Sequence, residues 1–75
     1  MGPILYFHKI FERFYNVGAV TPESAIEISR VSVKDNLFFK RTVQFGFIVN
    51  YNGKYYLDLE RLKSRPLAYK RLVKK

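Results

Sequence analysis

Asn52-Gly53 lies between two runs that favour extended backbone, Phe47-Ile48-Val49-Asn50-Tyr51 and Lys54-Tyr55-Tyr56-Leu57. A two-residue type I′ turn needs positive φ at both central residues, which Asn and Gly supply, so this stretch predicts a β-hairpin. The two-residue loop also fixes the register: Tyr51 faces Lys54, Val49 faces Tyr56 and Ile48 pairs near Leu57. Ile48 and Leu57 then point together toward the core. Upstream, Phe38, Phe39, Thr42, Val43 and Phe45 recur at spacings that lay an apolar stripe on a helix. Gly46 stops that helix in the left-handed conformation, and Asp35, or Ser32 before it, is its candidate cap. The organising unit therefore runs from Asp35 to Asp58 as helix, stop, strand, turn, strand and cap.

The rest of the chain supports this unit. Pro3 suits a first helical turn. Ile4, Leu5, Phe7, Ile10, Phe11, Phe14 and Val17 then line a wide apolar face opposite Lys9, Glu12, Arg13 and Asn16, which predicts an amphipathic helix closed by Gly18. Core packing is the ordinary use of so aromatic a face, and a homodimer through it stays open. Thr21-Pro22-Glu23 carries N-cap, first-turn proline and dipole-matched acid, which predicts a short second helix. Residues 26–34 read equally as helix, turn or short strand. Asp58 caps a helix beginning Leu59-Glu60-Arg61-Leu62-Lys63. Pro66 either ends or kinks it or starts a fresh helix, with Leu59, Leu62, Tyr69, Leu72 and Val73 as one apolar stripe.

Charge is distributed unevenly along this pattern. The chain of 75 residues has a net charge of +8. Residues 1–60 hold seven basic and six acidic side chains, whereas 61–75 hold seven basic ones and no acid. The polyanion signal thus belongs to the C-terminal segment. The length bounds the chain to one domain near the lower limit for a self-sufficient core. The absence of cysteine removes disulfides, thiolate metal sites and cysteine nucleophiles together. No apolar run approaches the roughly 20 residues of a membrane helix. The first residues lack the basic and small-residue features of a signal peptide, so the expected location is cytoplasmic.

Three short helices followed by a two-stranded hairpin resembles the order of a winged helix-turn-helix domain, of the kind found in small basic prokaryotic and archaeal proteins. The resemblance covers roughly residues 4 to 64. It rests on Thr21-Pro22-Glu23-Ser24-Ala25 as helix 2, on the run from Phe38 to Ile48 as helix 3 and its exit, and on Asn52-Gly53-Lys54-Tyr55-Tyr56-Leu57 as wing tip and return strand. It implies an α+β fold: a three-helix core, a two-stranded β-hairpin wing and a basic C-terminal helix. Residues 1–64 form the winged-helix-like domain and 65–75 a basic helical extension.

In that family the exposed face of helix 3 enters the major groove and the wing touches the backbone or minor groove. By resemblance, Lys40, Arg41 and Gln44 form the reading face, Asn52 and Lys54 the wing contact, and Thr21 marks a helix N-terminus that could meet a phosphate. From the charge distribution, Arg61, Lys63, Arg65, Lys70, Arg71, Lys74 and Lys75 are the candidate phosphate contacts.

The functional expectation is DNA binding through these residues. Two alternatives stay open: a ribosome-associated RNA-binding protein whose tyrosines stack on unpaired bases, and a protein-interaction winged helix with no nucleic-acid role. A membrane surface is the least favoured target of the basic helix. No catalysis is expected. His8 is the only histidine and sits among apolar neighbours, which suits packing. Glu23 and Glu27 lack the partners of a metal site, and there is no glycine-rich phosphate loop. No cofactor or metal is implied.

Overall fold

The computed structural model describes residues 3–31 and 37–73. Their elements run α1 (Pro3–Asn16), a 3₁₀ turn (Pro22–Ser24), a second 3₁₀ turn (Ile28–Arg30), α2 (Leu37–Gln44), β1 (Ile48–Tyr51), β2 (Lys54–Leu57), α3 (Leu59–Leu62) and α4 (Pro66–Val73). The architecture is α+β, with α1 and α2 packed against a two-stranded antiparallel hairpin and α4 packed on α1 and α3.

The hairpin has the register its turn dictates, with Ile48 opposite Leu57, Val49 opposite Tyr56 and Tyr51 opposite Lys54. Asn52 and Gly53 sit at φ +54° and +83°, the pair of left-handed residues that a type I′ turn needs. Ile48 and Leu57 are both fully buried. A Cβ on Gly53 would meet nothing within 4 Å, so replacing it costs backbone conformation alone. Gly53→Ala is expected to destabilise by about 1 kcal/mol, seen as a melting temperature roughly 4–8 °C lower. An unchanged melting temperature would exclude the left-handed requirement at this turn.

Both longer helices that precede the hairpin end in the same hydrogen-bonded cap. The Ala19 amide donates to the Phe14 carbonyl and that of Gly18 to Tyr15. At α2 the Phe47 amide donates to Thr42 and that of Gly46 to Val43. This paired pattern satisfies carbonyls that a helix end otherwise leaves open. It also turns the chain sharply enough for β1 to lie back against the helices. Asp58 caps α3, its Oδ1 accepting from the Arg61 amide at 3.2 Å.

The core is assembled from the predicted stripes. Phe14 stacks on Phe39 at 6.4 Å between ring centroids, Phe11 meets Phe47 edge-on at 5.7 Å, and Phe39 meets Tyr55 edge-on at 5.1 Å. The aromatic face of α1, considered above as a dimer surface, is largely taken up by these partners. Thr42 is buried on α2 because its hydroxyl donates to the Phe39 carbonyl at 2.6 Å. Leu62 and Leu72 are both fully buried. Pro66 opens a new helix, so α3 and α4 are separate pieces sharing one stripe. The division at 64/65 falls in the turn between them, and α4 packs on α1 as a wall of the same core.

The segment after α1 differs from expectation. Thr21 is an N-cap in a reciprocal capping box with Ser24, but what it caps is a single 3₁₀ turn and not a second α-helix. Two residues later Ile26 exchanges both backbone hydrogen bonds with Tyr55, at 2.9 and 2.7 Å. Extended pairing to β2 competes with helix here, and Ile26 takes the pairing before a second 3₁₀ turn begins at Ile28. The expected caps of α2, Ser32 and Asp35, lie outside the described residues, as do Lys74 and Lys75.

Candidate nucleic-acid interface

The basic segment folds as an amphipathic unit. With Leu62 and Leu72 fully buried and Tyr69 half-buried, the cations between them face outward, and Arg65, Lys70 and Arg71 are all exposed. The turn that carries Arg65 is tight. The Ser64 amide and hydroxyl both reach the Arg61 carbonyl, and the Arg65 amide reaches Leu62 at 2.8 Å. None of Arg65, Lys70 and Arg71 pairs with an acid among the described residues.

Two predicted cations are already engaged. Arg61 donates from Nε to the Phe45 carbonyl at 3.1 Å. The guanidinium therefore sits at the C-terminal end of α2, where open carbonyls carry partial negative charge. A Cβ on Gly46 would meet that same Nε at 3.4 Å, an ordinary contact, so it is the φ of +87° that calls for glycine there. Lys63 lies 3.1 Å from Glu60 Oε2 and 5.7 Å from the Tyr69 ring centroid. Its hydrogen bond to Glu60, then the Glu60 charge and then Tyr69, hold its ammonium pKa above the ordinary lysine value. A raised lysine pKa contributes stability that is present at neutral pH and lost only as pH climbs past the ordinary lysine range. The pair is exposed, so that contribution is small. With Glu60 beside it, Lys63 offers a phosphate less than Arg65 or Arg71 does.

The remaining predicted residues form two further groups. Lys40, Arg41 and Gln44 are exposed on α2, on the side away from buried Phe39 and Thr42. Asn52 and Lys54 are exposed at the hairpin tip, where the Gly53 amide donates to Asn50 Oδ1 at 3.0 Å. Lys54 shares a small hollow with Glu27 and Arg30, so the tip is of mixed charge. At about 3.3 Å per residue the four-residue strands put the tip roughly 13 Å from the hairpin base, where Arg61 is anchored. The phosphate seat implied at Thr21 is filled by the protein itself: the Val20 and Thr21 amides donate to Ser24 Oγ, and the Ser24 amide to Thr21 Oγ1.

One feature escaped the sequence reading. A groove of about 650 Å³ runs between α1, the end of α2 and α4, with Phe7, Phe45, Phe47 and Leu67 on its walls, and Arg65 and Arg71 beside them. His8 lines it too, and its Nδ1 is buried with no hydrogen-bond partner. The sequence signal was Leu67 set between Arg65 and Arg71, but the three walls are far apart in the chain. No group of three or more His, Asp or Glu that could hold a metal occurs among the described residues. No helix among them is long and apolar enough to cross a membrane. Comparison with protein-family models, with curated proteins and with solved structures returned no match.

Proposed function

We propose that this protein binds nucleic acid, with Arg65, Lys70 and Arg71, and the adjoining Lys74 and Lys75, as its principal phosphate contacts. The observation that carries the reading is the separation of charge from core in the C-terminal segment. Leu62 and Leu72 are buried while Arg65, Lys70 and Arg71 are exposed and pair with no acid among the described residues, in a stretch that holds seven basic residues and no acid. A merely solvated surface does not require such imbalance, because mixed charges keep a small domain soluble equally well.

The α2–hairpin unit is a second contact in this reading. Its order is that of a winged helix with 3₁₀ turns in place of the second helix. Lys40, Arg41 and Gln44 would then face a groove, and Asn52 and Lys54 the backbone. Arg41 and Gln44 are side chains able to read base edges, while the α4 cations position without specifying.

The test is fluorescence anisotropy of a labelled DNA duplex and a labelled RNA hairpin, titrated with the full chain at two salt concentrations. Phosphate binding by three to five cations predicts a log–log salt slope of about −3 to −4.5 on duplex DNA. The better-bound probe assigns DNA or RNA. No binding to either at low salt would reject the reading and turn attention to a protein partner.

A further inference from the structure

We infer that the groove beside α4 receives unpaired nucleobases, so that the ligand of this protein is single-stranded for at least one or two nucleotides. The inference rests on the nucleic-acid reading above and names the ligand class of the same surface.

The first support is the kind of wall. Phe45 is 47% exposed and Leu67 83% exposed, although both are large and apolar and face a common groove. The Phe45 ring is placed by its surroundings. It precedes the glycine cap of α2, its carbonyl is held by Arg61, and it lies 6.3 Å from the Phe47 ring at 64°. Phe47 is braced in turn against Phe11. A fixed, half-open ring of this kind is a stacking platform, and every base has a face that can use it.

The second support is that cations share the groove. Arg65 and Arg71 line it, and Arg61 is pinned to the backbone of Phe45. Proteins that hold single strands combine these two elements, a cationic track for the phosphates and aromatic side chains for the bases. A duplex keeps its bases stacked and would leave Phe45 and Leu67 uncovered.

Thirdly, the groove is roomy: its volume of about 650 Å³ falls within the range that holds small organic molecules. Binding of phosphate alone would make no use of Phe45.

The experiment compares four labelled probes of equal length with the full chain at one salt concentration: oligo-dT, oligo-U, a duplex and an abasic oligodeoxynucleotide. The expected result is at least tenfold tighter binding of a base-bearing single strand than of the duplex or the abasic strand. Phe45→Ala should weaken single-strand binding roughly 5- to 150-fold, the loss of about one base–aromatic stack, and leave duplex binding unchanged. Phe45→Tyr should retain it. Leu67→Ser, at a side chain too exposed to affect folding, should weaken the single strand in the same selective way. Equal affinity for the abasic and base-bearing strands, or equal losses on single strand and duplex, would overturn the inference and leave the nucleic-acid reading standing. Absence of binding to all four would reject both.

Discussion

Leu72→Ala is expected to lower the unfolding free energy by about 3–5 kcal/mol, the cost of emptying a fully buried leucine site. Leu72 has no exposed surface and is the deepest residue of α4, the helix that closes the core against α1. A domain of this size is stable by roughly 4–11 kcal/mol in all, so the variant sits near the edge of unfolding. Ending the chain at Ser64 removes Leu72, Tyr69 and Ala68 together and is expected to abolish the cooperative thermal transition. Urea denaturation followed by far-UV circular dichroism measures the first effect and a thermal scan the second. Leu67→Ala, on the same helix but exposed, is the control, with a change of about 0.5 kcal/mol or less. A Leu72→Ala protein as stable as its parent would mean that α4 is an appendage to a core complete without it. The same reasoning governs how binding is dissected, because cations have to be changed in place and not cut away.

Reversing Arg65, Lys70 and Arg71 to Glu in one protein is expected to weaken nucleic-acid binding by about two to three orders of magnitude near 0.1 M salt. Each lost phosphate contact reduces the log–log salt slope by about 0.9 and costs a little under tenfold in affinity at that salt. All three side chains are exposed and pair with no described acid, so the fold should be untouched. The measurement is the salt slope of the triple variant beside that of the parent, with a melting curve as the check on folding. Lys63→Glu should do less than Arg71→Glu, because Glu60 already neutralises Lys63. A triple variant with an unaltered slope would place the phosphate contacts elsewhere, and Lys40 and Arg41 would be the next pair to reverse.

What could be read from the sequence was what depends on near neighbours. The hairpin register follows from two residues, Asn52 and Gly53, and the ends of α1 and α2 from single glycines. The stripe Leu59, Leu62, Tyr69, Leu72, Val73 appears as a periodicity whether or not Pro66 breaks it. The stretch after Gly18 was not legible, because its conformation is settled by a partner some thirty positions away. Ile26 joins Tyr55 across the sheet, and that pairing outweighs a well-formed helix start at Thr21. Among the site residues, exposure of Lys40, Arg41, Gln44, Arg65, Lys70 and Arg71 followed from amphipathic pattern alone. Their availability did not. Arg61 spends a donor on a carbonyl sixteen positions earlier, and the groove of Phe7, Phe45 and Leu67 exists only once three helices meet.

The bond between Ile26 and Tyr55 has a further consequence for how the sheet opens. The outward edge of β2 is sealed twice, by Ile26 at Tyr55 and by the Ala19 carbonyl, which accepts from the Leu57 amide at 2.8 Å. A hairpin of two strands thus behaves at β2 like the middle of three. Its amides are held from both sides, while the outward edge of β1 has no backbone hydrogen bond to another segment among the described residues. Local unfolding is cheapest where backbone hydrogen bonds face solvent. Breathing motions of the sheet therefore start from β1, and β2 gives way only when the loop from Ala19 to Ile26 lets go with it. Amide hydrogens along the two strands, equal partners in one ladder, would then exchange with solvent on different clocks.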